Sequence, residues 1–152
     1  MVLFSLFPMQ REGVSIYLSI YHSSECVQLI CLHSSTENLA LLAIYRQPDD
    51  KQHGHPSTPN DFMIPLNRVK TMLASMTPTP DIIFGGDFNL PHAEWPEGIP
   101  SSGCSSDERQ MLNALNEFCN DMFMSQHVLS PTHKDGNILD LVFTNNSSLI
   151  HD

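Results

Sequence analysis

The amino-acid sequence predicts an α/β domain of the α+β kind, in which helices are layered on a β-sheet. Three observations point to it. The first third of the chain is built of apolar runs with strand character, two later stretches have helical spacing, and further short apolar strands lie between and after those helices. The 152 residues suit one such domain, large enough to bury a core of its own.

The strands come first. In GVSIYLSI, Val14, Ile16, Leu18 and Ile20 alternate with Ser15, Tyr17 and Ser19, the two-residue period of a half-buried strand. CVQLICL (26–32) and LALLAIY (39–45) are apolar runs joined by the polar HSSTEN, a spacing that predicts a hairpin. From Gln47 to Asn60 the chain is polar and rich in proline, as a surface loop is. Helical spacing follows, with Phe62, Leu66, Val69, Leu73 and Met76 recurring at intervals of four and three; Pro65 fits if it lies in or near the first turn. TPTP (77–80) ends that helix.

DIIF (81–84) is the next strand. It runs into GGDFNLPH and then a loop rich in Pro, Gly and Ser that reaches Ser106. Ser105 with Glu108 three residues on is a capping-box signature, and behind it Met111, Leu112, Leu115, Phe118, Cys119, Met122 and Phe123 form the apolar stripe of a second helix. After HVLS and the turn PTHKDGN, ILDLVFT (138–144) is the last strand.

With 41% apolar and 16% charged residues and no low-complexity tract, the chain is globular, not disordered or fibrous. Its 7 basic against 17 acidic side chains give a formal charge of −10, which argues against a broad electrostatic grip on nucleic acid. Any phosphate chemistry then leans on a metal ion or on basic surface from elsewhere. Cys26, Cys31, Cys104 and Cys119 include no CxxC pair and read as reduced, buried thiols of an intracellular protein, nuclear or cytoplasmic. The opening MVLFSLFPMQ lacks a basic flank and is interrupted by Pro8, so no targeting or membrane segment is expected there.

Three stretches bear chemistry. In GGDFN, Asp87 and Asn89 are separated by one residue and would face the same side if the strand stays extended, at the carboxyl end where open α/β sheets place ligands. The plain alternative is a strand ending in a turn, where Asp and Asn are common because they bond their own backbone. Asp140 interrupts ILDLVF, and a carboxylate taken into such surroundings costs several kcal/mol unless something meets it. The alternative there is an edge strand with one face in water. Tyr45 ends the third apolar run and alone is a core or rim tyrosine. His53 and His55 form an HxH pair in a loop with no third ligand nearby, and read as solvated. GGDF is also similar to the diguanylate cyclase signature, but the second acidic residue of that motif is missing.

Taken in order, LLAIYRQP, IIFGGDFNLPHAEW and PTHKDGNILDLVFTN, with REGVSIYL before them, resemble the endonuclease/exonuclease/phosphatase superfamily, and most closely the endonuclease domain of non-LTR retrotransposons. The resemblance spans roughly residues 11–148, giving a partial domain over 11–152 and a non-matching extension over 1–10. It implies a four-layered sandwich of two mixed β-sheets flanked by helices, and Mg²⁺- or Mn²⁺-dependent cleavage of DNA phosphodiesters by water. By the same resemblance Asp87 orients and deprotonates the water, Asn89 holds that water and a phosphate oxygen, and both lie near the metal. Tyr45 lies against the scissile phosphate, Asp140 accepts a hydrogen bond from a catalytic histidine, and Thr132 contacts the nucleic-acid backbone.

The sequence departs from the family at both ends. The family's Asn and metal-binding Glu lie upstream of the segment similar to REGVSIYL, where Glu12 and Glu25 do not stand in the matching context. Its Ser-Asp-His follows the segment ending LIHD, and His151 and Asp152 come too early and in reversed order. Two readings follow: a metal-dependent endonuclease, complete within a longer polyprotein carrying a reverse transcriptase, or a catalytically silent, transposon-derived remnant or interaction protein. A sheet without its opening strands exposes an edge and an apolar face, so a molten or aggregating character is expected of the chain alone.

Overall fold

Alternation along the strands determines which face is buried. The structure, a computed structural model, describes residues 7–11, 14–22, 27–34, 36–48 and 57–150. Strands β1 (Phe7–Arg11), β2 (Val14–His22), β3 (Val27–Ser34) and β4 (Leu39–Arg46) form an antiparallel meander. Helix α1 (Pro59–Ala74) then carries the chain to β5 (Asp81–Asp87), which pairs parallel to β4. A two-stranded ribbon, β6 (Ala93–Glu94) with β7 (Ile99–Pro100), precedes helix α2 (Ser106–Asp121). Strand β8 (Ser125–Gln126) and strand β9 (Asp140–Thr144) complete a seven-stranded sheet in the order β1-β2-β3-β4-β5-β9-β8.

In β3 and β4, Val27, Leu29, Cys31, Ala40, Leu42 and Ile44 point inward, and Ile82, Phe84, Leu141 and Phe143 continue that face across β5 and β9. These residues form one core with Phe62, Leu66, Val69 and Leu73 of α1 and Met111, Leu112, Leu115 and Phe118 of α2. Phe84 sits at its centre, with ring centroids 5.2 Å from Phe88, 5.5 Å from Phe118 and 6.0 Å from Phe143, separations at which aromatic pairs add to simple burial. The opposite face of the sheet is more open: Ile30, Leu32, Leu41 and Tyr45 stay partly in water. The α+β class expected from the sequence is the one observed, a helix layer on a mixed sheet with a smaller second sheet, consistent with the sandwich.

Several boundaries differ from the sequence reading. Thr58 caps α1 with a reciprocal box to Asp61, so Pro65 falls in the second turn, where burial against the core offsets the lost backbone bond. Phe123 leaves the α2 stripe: the helix ends before it, its φ is +56°, and its ring is 86% exposed. Of the cysteines, Cys31 and Cys119 are buried and burial pushes both thiols up to about 12, whereas Cys104 is only partly covered. Glu12, Glu25, Cys26, His53, His55, His151 and Asp152 lie outside the described residues. Among the described residues no helix is long and apolar enough to cross a membrane.

Candidate active site

Strand register brings the sequence candidates together. Tyr45 on β4 pairs with Asp87 on β5, and Asp87 pairs with Asp140 on β9. All three stand on the face away from the helices, because their neighbours Ile44, Phe88 and Leu141 are the buried ones. A row of one tyrosine and two carboxylates thus crosses three adjacent strands at the carboxyl end of β4 and β5.

Asp140 is exposed, which corrects the expectation of a carboxylate buried in apolar surroundings. β9 lies between β5 and β8, but β8 pairs with it only at Phe143 and Thr144, so at Asp140 the strand has a neighbour on the β5 side alone, as the edge alternative expects, and the outward face is open there. Among the described residues no histidine bonds its carboxylate. Thr132 braces this end of the row: its Oγ1 accepts the Leu139 N–H at 2.9 Å and the Asp140 N–H at 3.0 Å. Its structural work is to fix the start of β9.

Asn89 departs from the extended geometry expected of it. The strand stops at Asp87, Asn89 takes φ +46°, and it is 7% exposed. Its N–H donates to Asp87 Oδ1 at 3.1 Å, closing a turn of the Asp-x-Asn kind. Its Nδ2 donates to the Arg46 carbonyl at 2.7 Å, and Arg46 Nη1 donates back to the Asn89 carbonyl. This reciprocal clamp ties the end of β4 to the loop after β5, with the Arg46 side chain wholly buried. Sequence reading missed Arg46 as a site residue, although the inward pattern of Ala40, Leu42 and Ile44 projects to position 46.

Burial holds the Asp87 carboxyl above its usual 3.8, and the charge of Asp140 pushes the same way; the Asn89 N–H, the Asn89 carboxamide and the Arg46 charge oppose them. The folded state therefore holds the Asp87 proton more tightly than the unfolded chain. This favours the fold at low pH, and the contribution is lost as pH rises from about 3.8 through the raised folded value. Asp87→Asn keeps an oxygen to accept the Asn89 N–H but carries no charge. It should melt higher than the wild type at pH 7, with the gap closing as pH falls toward 4; equal melting temperatures at both pH values would contradict this.

A second cluster adjoins the row, also missed from sequence. Glu108 was expected to return to its own helix cap, but only half of that box forms: Ser105 Oγ accepts the Glu108 N–H at 3.1 Å. The Glu108 carboxylate turns instead to His92, accepting its backbone N–H at 2.8 Å on Oε1 and approaching its Nδ1 at 2.7 Å through Oε2.

Among the described residues no group of three or more His, Cys, Asp or Glu side chains could hold a metal. Asp87 and Asp140 supply two carboxylates side by side.

The fold and the row define an α+β domain with an acidic site at the carboxyl end of its central strands. The sequence profile of the family described as endonuclease-reverse transcriptase matches residues 39–152, and the chain belongs to that family. This sets it in the endonuclease/exonuclease/phosphatase superfamily, with a resemblance to retrotransposon endonucleases. No curated protein matches it in sequence. Among solved structures it is similar to the crystal structure of TDP2 from C. elegans, at 16% identity and a TM-score of 0.41, over 93% of this chain and 48% of that one. The chain spans about half the length of that protein.

Proposed function

We propose that the row of Tyr45, Asp87 and Asp140 is the described part of a DNA phosphodiesterase site derived from a non-LTR retrotransposon endonuclease. The observation that carries this reading is the register Tyr45↔Asp87↔Asp140, which gathers three separate sequence motifs on one open face. Membership of the endonuclease-reverse transcriptase family supports it.

Asp87 accepts a proton from the attacking water and aims it. The Asn89 turn holds the Asp87 carboxylate in place, and the Asn89 amide oxygen is left for a ligand. Tyr45, 45% exposed, reaches the phosphate with its hydroxyl and donates to the oxygen on which charge develops. Asp140 favours the cationic form of whatever group protonates the leaving alkoxide. Mg²⁺ or Mn²⁺, held beside Asp87 and Asp140, would supply charge stabilisation for the phosphoryl oxygens. DNA is the substrate class, and a reverse transcriptase carried on a longer polyprotein is the implied partner.

The two-carboxylate ligand set favours a second reading, a catalytically silent domain that keeps the fold. Nicking of supercoiled plasmid with Mg²⁺ decides between them. The first reading expects nicking that falls by roughly a hundredfold or more in Asp87→Ala, the scale of losing a general base. Wild-type protein that is folded but does not nick would sink it and leave the silent domain.

A further inference from the structure

A cavity of about 370 Å³ lies on the helix side of the sheet, at the edge formed by β8. Trp95, Cys119, Met124, Gln126 and Phe143 line it, and no residue of the Tyr45, Asp87 and Asp140 row does. Its walls are held in place. The Trp95 ring packs edge-on against Phe143 with centroids 5.9 Å apart, and the turn after Trp95 is tied to α2 by Asn116 Nδ2, which donates to the Gly98 carbonyl at 2.8 Å.

Two residues of the wall carry unmet polar atoms. Trp95 Nε1 and Gln126 Oε1 are buried and have no hydrogen-bond partner among the described residues. Gln126 Nε2 donates to the Val128 carbonyl at 2.7 Å, which fixes the other end of that carboxamide as the acceptor. One donor and one acceptor are thus left, and a buried group of either kind is costly while unpaired. Shielded from water, they give up no bond to solvent when a ligand meets them.

The strand beside the cavity is open as well. β8 ends the sheet and is paired with β9 alone among the described strands. His127 N–H donates to the Val142 carbonyl at 2.9 Å, so the alternation of an antiparallel ladder turns the backbone N–H and C=O of the preceding residue, Gln126, away from β9 and toward the free edge. An extended chain laid along that edge gains both bonds, and every second side chain of it falls on the face where the cavity lies.

We infer that β8 receives an extended segment of another polypeptide as an added strand, with one carboxamide side chain, glutamine or asparagine, inserted in the cavity. The carboxamide oxygen accepts from Trp95 Nε1 and its nitrogen donates to Gln126 Oε1. A group with an acceptor and a donor side by side matches this pair, as neither a carboxylate nor an ammonium does.

The test uses the full chain and two capped five-residue peptides of alternating threonine and valine, one with glutamine at its centre and one with leucine there. Trp95 is the only tryptophan, so its indole N–H gives a single NMR signal to follow beside the Gln126 amide. The glutamine peptide should shift both signals and bind about tenfold more tightly than the leucine peptide, the scale of one hydrogen bond. Trp95→Phe keeps a ring against Phe143 and should remove that preference while binding persists. Gln126→Pro removes the outward N–H and the carboxamide together, a change that an edge strand accepts, and should abolish binding of both peptides. No shifts with the glutamine peptide, equal affinity for the two peptides, or binding indifferent to both variants overturns the inference. Self-association of the free chain that Gln126→Pro abolishes would put a second copy on the edge and overturn it too.

Discussion

Gly86→Ala should lower stability by more than about 4 kcal/mol, a loss large enough to be diagnostic of its mechanism. Gly86 has φ +143°, a region that L side chains rarely adopt, and such strain alone costs of order 1–3 kcal/mol. A Cβ there would lie 1.9 Å from the Ile44 carbonyl oxygen and 2.9 Å from its carbon. The obstacle is the backbone of β4, not a side chain that can swing away, so relief requires β4 and β5 to part. That separation would also break the Tyr45↔Asp87 pairing on which the site depends. Gly85→Ala is the control: its Cβ would meet the Leu141 oxygen at 3.2 Å, and a small shift accommodates it. Urea denaturation of the two variants should give a far lower midpoint for Gly86→Ala. A midpoint equal to that of Gly85→Ala would contradict the account.

Arg46→Met should cost about 1–3 kcal/mol, the scale of leaving a buried carbonyl without its donor. Methionine can fill much of the space but leaves the Asn89 carbonyl without the guanidinium that it accepts from. The Asn89 turn then loosens, and with it the N–H that Asp87 accepts. Loss of the nearby positive charge should also raise the Asp87 carboxyl further, since Arg46 is one of the groups that lower it. Urea melts report the first effect and carbon-13 titration of the Asp87 carboxyl the second. Arg46→Lys should recover only part of either, because an ammonium lacks the planar fork. A variant with wild-type stability and an unmoved Asp87 titration would show the clamp to be incidental.

The strands were legible as apolar runs, but the faces of β3 and β4 were not. LALLAIY is apolar at every position, so only the burial of Leu29, Cys31, Leu42 and Ile44 in the fold shows the inward face and sets Tyr45 on the other. Asp87 drew attention as a carboxylate at the end of an apolar strand and Asp140 as one interrupting another, although Asp140 proves exposed at the start of β9. The conformation of Asn89 was not, since GGDFN admits both an extended strand and an Asp-x-Asn turn, and the choice falls to Arg46 on another strand. Glu108 satisfied a local capping pattern so well that its tertiary partner, His92, was hidden. Phe123 differs for the opposite reason: no glycine marks the end of α2, so the apolar spacing runs on past the last helical residue.

The central claim is that three strands assemble one cation and phosphate site across Tyr45, Asp87 and Asp140. Titration of the protein with Mn²⁺, read as paramagnetic broadening of backbone amides, tests it independently of turnover. Broadening should begin at Tyr45, Asp87 and Asp140, and it should weaken sharply in Asp87→Asn and in Asp140→Asn. Broadening centred elsewhere, or unchanged in both variants, would contradict the claim.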